Sequence, residues 1–157
     1  MGVNSGDSLF FMEKTIFILQ IASTLFLTGV IWVIQIVQYP FFAAVGAEKF
    51  TKYHDDYRFW ITPVVAPAMI VELLTAIFLL FYPPENIDSI LLWLGLVLTL
   101  IVWASTFFLQ VPLHEKLAHE FNSETLSALV RTNWVRTVCW SLRGALLLYF
   151  VWKVIRF

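Results

Sequence analysis

The sequence predicts an all-α fold, a four-helix transmembrane bundle carrying two short interfacial amphipathic helices. Three observations lead there. Apolar residues make up 60% of the 157, aromatic residues 17% and charged residues only 13%, and the mean hydropathy is +0.80, well outside the usual range of soluble domains. Four apolar runs, residues 15–37, 61–81, 90–111 and 135–154, each reach the roughly 20 residues needed to cross about 30 Å of hydrocarbon. Few ionisable groups interrupt them, chiefly Glu72 in the second and Arg136 and Arg143 in the fourth. Spans and connections take up nearly the whole chain as a single domain, 1–157, so any chemistry falls within or beside the bundle.

The first run is expected to end at Pro40, which lacks the N–H a continuing helix uses. Gln20, Thr24, Thr28, Gln35 and Gln38 recur at steps of four, four, seven and three, gathering on one helical face that a bilayer turns toward other helices. In the connection 41–60, Phe50, Tyr53, Tyr57 and Trp60 recur at three, four and three among Lys49, Lys52, Asp55, Asp56 and Arg58, the pattern of a helix lying at the interface. The second run opens with Pro63, and Pro67 a turn further in is expected to kink it. Glu72 lies about eleven residues in, roughly 16 Å at 1.5 Å per residue, near mid-membrane.

The acidic turn 82–89 leads into the third run, where Thr99, Trp103, Thr106 and Gln110 share a face. Pro112 is expected to close it. A second amphipathic segment follows, with Leu113, Leu117 and Phe121 on one side and Glu115, Lys116, His119 and Glu120 on the other. Asn122 or Ser123 caps the last helix, which carries Lys153 and Arg156 to the far interface. Five cations, Lys49, Lys52, Arg58, Lys116 and Arg131, fall in the two long connections, against Lys14, Lys153 and Arg156 at the other end. That bias places the connections in the cytoplasm and both termini outside, across a bacterial inner membrane.

An arginine near the bilayer centre costs about 2.5–3.5 kcal/mol on insertion scales, so Arg136 and Arg143 need acceptors. Glu72 is the carboxylate available in another apolar run. Asn133, Arg136, Trp140 and Arg143 step by three, four and three, turning an amide, two guanidiniums and an indole inward. Glu72, Arg136 and Arg143 are therefore expected to converge, with Gln35, Gln38, Gln110, His114 and Asn133 completing a set of ligand-binding candidates. Two readings stand side by side. The cluster is an ion pair that only fixes helix register, or it is a site for a small anionic or quinone-like ligand. In an oxidoreductase or oxygenase-like version, Glu72 or His114 moves protons while the arginines hold an anion or enolate oxygen.

His114, four residues after Gln110, reads either as an interfacial histidine satisfied by water or as a group facing the cluster. His54 and His114 are the candidates for a metal. A haem between them requires both at similar depth, and neither C-x-x-C-H nor H-E-x-x-H occurs. The sequence specifies no cofactor. A net charge of -1 with no basic run argues against a nucleic-acid partner. Cys139 is the single cysteine and forms no intrachain disulfide. The N-terminus lacks a positive n-region and an A-x-A site, so the first run is expected to be retained. Gly6 stands where a myristoylation signal after Gly2 needs Ser or Thr.

Gln38-Tyr39-Pro40 and Gln110-Val111-Pro112 recur at an offset of 72 residues. This reads either as coincidence or as a duplicated helical hairpin, with parallel repeats about an axis along the membrane normal. The run 32–41, the pair Tyr53-His54, Pro67-Ala68-Met69 with Glu72, the run Gln110-Val111-Pro112-Leu113-His114 and Asn133-Trp134-Val135-Arg136-Thr137 resemble a group of small bacterial four-span membrane proteins with no assigned activity. The likeness covers nearly all of the chain from Trp32 to Gly144. In span count and in its Pro-ended first helix the chain is more remotely similar to anthrone oxygenase-like membrane proteins, a layout that assigns no catalytic residue. Besides lipid and a small ligand, the partners to expect are a second copy or a membrane complex in which the cluster is only helix glue. A small transporter is the third class.

Overall fold

A computed structural model describes residues 5–154, with side chains from residue 10. The expectations for Gly2 and Arg156 fall outside these residues. The described chain is helical throughout its elements, with no strand. The helices are α1 (Ser5–Val33), α2 (Tyr39–Phe42), α3 (Ala47–Phe81), α4 (Ser89–Ser105), α5 (Val111–His119) and α6 (Ser123–Val154). α1 packs against α3 and α6, and α4 packs against the same two. Four long helices thus form a ring in which sequence neighbours are also spatial neighbours.

Two expected helix ends are corrected. An α-helical register through Pro40 leaves a carbonyl one turn earlier without a donor. The chain widens instead into a π-helical turn, Ile34–Gln38, and the Tyr39 N–H donates to the Ile34 carbonyl. Pro40 then falls in the first turn of α2, where a missing N–H is tolerated. The device recurs at Thr106–Gln110, where the Val111 N–H donates to the Thr106 carbonyl and Pro112 enters the first turn of α5. Ile34 to Thr106 is the same 72-residue offset that separates the Gln-x-Pro motifs.

The interfacial helix expected in 41–60 is likewise no separate element. Only residues 43–46 remain as a connection, and α3 then runs unbroken through Pro63 and Pro67. Each proline removes one donor, and the Thr62 hydroxyl bonds the Arg58 carbonyl nearby at 2.7 Å. α5 continues the α4 direction through its π turn rather than starting afresh, with Leu117 buried and Glu115, Lys116, His119 and Glu120 exposed. The Asn122 side chain accepts from the Thr125 N–H at 2.8 Å and starts α6. Asp88 does the same for α4 through the Ile90 N–H at 3.0 Å. In the turn between α3 and α4, Asn86 takes a left-handed conformation, φ 65°, that asparagine tolerates better than most residues.

The packing is inverted relative to a soluble protein. Gln20, Thr24, Gln35, His54, Glu72, Gln110, Asn133 and Arg143 are all buried, whereas Phe11, Phe59, Trp60, Phe81, Ile90 and Phe108 are exposed. Three helical stretches, Phe10–Phe42, Ala47–Phe81 and Ser89–His119, are long and apolar enough to cross a membrane. α6 is as long, and its arginines interrupt its apolar run. Apolar clusters flank the polar interior. Phe42, Phe50, Leu117, Leu129 and Trp140 belong to the larger one, and Leu79, Leu92, Leu147 and Phe150 form the smaller.

Candidate functional site

The buried polar residues form two layers, about 10 Å apart along α6 given the seven-residue step from Arg136 to Arg143. The first is closed. Arg143 Nε donates to Glu72 Oε1 at 2.8 Å, and the two side chains are 3% and 0% exposed. The Thr24 hydroxyl donates to the same oxygen at 2.7 Å, and the Trp140 indole N–H donates to Oε2 at 3.0 Å. Arg143 Nη1 donates to the Gly95 carbonyl, an approach possible because position 95 has no side chain. A Cβ there meets Nη1 at 3.1 Å.

The network continues outward from that pair. Gln20 donates to Thr24 at 2.9 Å and accepts from Thr75 at 3.0 Å, while the Thr28 hydroxyl donates to the Trp140 carbonyl at 3.0 Å. Residues of α1, α3, α4 and α6 are thereby tied through one carboxylate. Both oxygens of Glu72 are occupied by protein donors.

The second layer is open. Arg136 does not reach Glu72, which corrects the expected convergence of the three charges. The indole of Trp140 stands between them, with the Arg136 guanidinium carbon 5.9 Å from its ring centroid. Arg136 donates instead to Asn133 Oδ1, from Nε at 2.9 Å and from Nη2 at 2.6 Å, and to Thr106 Oγ1 at 3.4 Å. Asn133 is held in turn by Gln35, whose Oε1 accepts from Asn133 Nδ2 at 2.7 Å and from Thr137 at 3.3 Å. Among the described residues no carboxylate lies within ion-pair distance of Arg136. A guanidinium offers five N–H donors; those three bonds use part of that set, and the Tyr39 hydroxyl lies close enough to Arg136 to take another.

Arg136 lines an apolar cavity of about 260 Å³. Leu27, Ile31, Ile61, Val65 and Met69 form its walls, while Tyr39, His114, Gln110, Thr106 and Trp140 surround the guanidinium end. Gln110 Nε2 donates to Thr132 at 3.0 Å, yet its Oε1 is buried without a donor. Tyr39 Oη lies 3.2 Å from His114 Nε2, and His114 Nδ1 lies 2.8 Å from His54 Nε2. Across each contact one group donates and the other accepts, so a single proton position fixes the tautomers along the row. His54 is fully buried, and its Nδ1 at the end of the row has no partner. Arg136 is close enough to act electrostatically on Tyr39, Tyr57 and His114.

The structure thus distributes the candidates. Glu72 and Arg143 share the closed layer. Gln35, Gln110, His114, Asn133 and Arg136 share the open one, where Gln35 and Asn133 support Arg136 and the other two face the cavity. Gln38 belongs to neither. It is half-buried on the outer side of α1 and donates to Tyr53 Oη at 3.0 Å, because the π turn rotates it away from the Gln35 direction. His54 and His114 lie at one depth, but they are bonded to each other with ring centroids 5.1 Å apart. Iron between trans nitrogens needs roughly 4 Å at metal–nitrogen lengths near 2 Å, so the haem arrangement does not fit. Among the described residues no group of three or more His, Cys, Asp or Glu is placed to hold a metal ion.

Tyr39, Tyr57 and Thr24 join these layers although the sequence pattern does not mark them as ligand-binding residues. Tyr39 sits inside the Gln-x-Pro motif, and that position was its only sequence signal. Its inward direction depends on the π turn. Searches against protein-family models, curated proteins and solved structures find no match to this chain.

Proposed function

We propose that the protein is an integral membrane protein whose four long helices all cross the bilayer, and that its open layer binds a small ligand with an anionic or quinone-like oxygen. The observation that carries this reading is Arg136, 8% exposed and without a carboxylate, at the end of an apolar cavity. A buried guanidinium is costly unless something supplies acceptors. Asn133 and Thr106 supply part of that, and a ligand oxygen completes it. α6 crosses with the others because its arginines turn inward, away from the chains of the lipid.

A cavity of about 260 Å³ lies near the small end of the roughly 300–1,000 Å³ usual for ligand sites. It suits one ring or a short acyl head. In an oxidoreductase or oxygenase-like version, Arg136 stabilises negative charge on the bound oxygen, and Tyr39 with His114 and His54 hands on the proton. The five cations Lys49, Lys52, Arg58, Lys116 and Arg131 favour a cytoplasmic placement for the end that carries the open layer, in a bacterial inner membrane. The two π turns at one offset support a duplicated hairpin, and the resemblance to small bacterial four-span proteins fits the same architecture.

A second reading, a structural or assembly subunit, is favoured by the closed layer, whose carboxylate already accepts three protein donors. The deciding experiment is purification in mild detergent, followed by an absorption spectrum and mass spectrometry of the solvent extract, for wild type and Arg136→Gln. A small molecule retained by wild type and lost from the variant supports the site. A stoichiometric protein partner with no extractable molecule in either sample supports the subunit.

A further inference from the structure

A second hollow, of about 500 Å³, lies on the outer face between α1 and α3. It shares Val30, Ile34, Tyr57 and Ile61 with the cavity that Arg136 lines, so the two are separated by no more than one layer of side chains. Its walls are mostly apolar, with Gly29 on α1 and Val64 on α3, and include Gln38 and Tyr57. A Cβ placed on Gly29 meets nothing within 4 Å, so the missing side chain leaves room on the surface rather than serving a helix contact.

Resting on the ligand reading above, we propose that this groove is the lateral passage for the hydrocarbon tail of the ligand, whose head sits against Arg136. The ligand class is then a single-tailed amphiphile that enters from the bilayer. Two features of the inner cavity argue for such an occupant. A dry cavity of about 150 Å³ is enough for benzene, so 260 Å³ takes a ring or a short head and has no space for a long chain. The cavity also carries Arg136 and Arg58 in its lining while the residues it shares with the groove, Val30, Ile34, Tyr57 and Ile61, are apolar or aromatic, the polarity order of an amphiphile. In lipid a tail gains little from exchanging one apolar neighbour for another, so the groove acts by letting the tail pass rather than by adding affinity.

The test uses the full chain in lipid nanodiscs with two pairs of probes. One pair is a decyl-substituted benzoquinone and the same quinone with a methyl in place of the tail. The other is dodecanoate and propionate, and whichever pair binds identifies the head. Gly29→Phe fills the groove from α1, and Val64→Trp fills it from α3. Each is expected to weaken the tailed probe at least tenfold while leaving the tail-less probe within twofold and the melting temperature unchanged. Arg136→Gln is expected to weaken both members of the pair. If one groove variant melts early, the other supplies the reading.

A tailed probe that binds both groove variants as it binds wild type overturns the passage and leaves the head site standing. Equal weakening of both probes by a stable groove variant overturns it too. Binding unaffected by Arg136→Gln overturns the head site itself, as does a wild-type protein that takes up none of the four probes.

Discussion

Arg143 and Arg136 occupy one face of α6 two turns apart, and the bundle treats them differently. Arg143 meets Glu72 directly at 2.8 Å and adds a backbone carbonyl of α4. Arg136 meets an amide and a hydroxyl and borders a cavity. Charge pairing makes the difference. A carboxylate whose two oxygens already accept three donors cannot recruit a ligand without breaking helix contacts, whereas a guanidinium that has no carboxylate partner and borders a cavity can. The first arrangement suits holding four helices in register, and the second suits binding.

The contrast is broken most severely by Glu72→Ala. It strands Arg143 in the interior, and losing one partner of a buried pair typically costs about 3–5 kcal/mol. The melting temperature in mild detergent is expected to fall sharply, and the double variant Glu72→Leu with Arg143→Met to recover most of the loss. A pair that behaves additively, with no recovery, contradicts the role given to the closed layer.

Arg136→Gln is next. Ligand retention is expected to drop at least tenfold, equivalent to about 1.4 kcal/mol of binding, with stability changed by no more than about 1 kcal/mol. A large loss of stability with unaltered ligand content reverses the assignment of the two layers.

The finest comparison is one substitution at two helical glycines. Gly95→Ala brings a Cβ to 3.1 Å from Arg143 Nη1, which donates to the Gly95 carbonyl while Nε of the same guanidinium is held by Glu72. It is expected to destabilise by about 1 kcal/mol, the common size for a core perturbation. Gly29→Ala meets open space and is expected to stabilise by about 0.5 kcal/mol through reduced backbone freedom in the unfolded chain. Parallel thermal denaturation reads both. Equal shifts of the same sign contradict the close approach at position 95.

Much of this is legible in the sequence. The steps of three and four through Gln20, Thr24 and Thr28, and through Asn133, Arg136, Trp140 and Arg143, mark the faces that the structure turns inward. The pairing of Glu72 with Arg143 follows from the scarcity of alternatives, since no other carboxylate lies in an apolar run. The prolines misled. Pro40 and Pro112 read as stops because an α-helical ladder has no use for them, and a π turn is not visible in residue periodicity. Gln38 reads as a companion of Gln35 for the same reason, since at 3.6 residues per turn the two share a face.

By itself the sequence determined the helical class, the apolar exterior and the need for inward acceptors, because composition and period act within a single helix. Tertiary structure decided which acceptor each arginine received. It brought Tyr39, His54 and His114 into a row from three separate helices, and it set Trp140 between Arg136 and Glu72. Such choices depend on the depth and rotation of one helix against another. Two π turns, each shifting every later side chain, fix those quantities in ways no local pattern records.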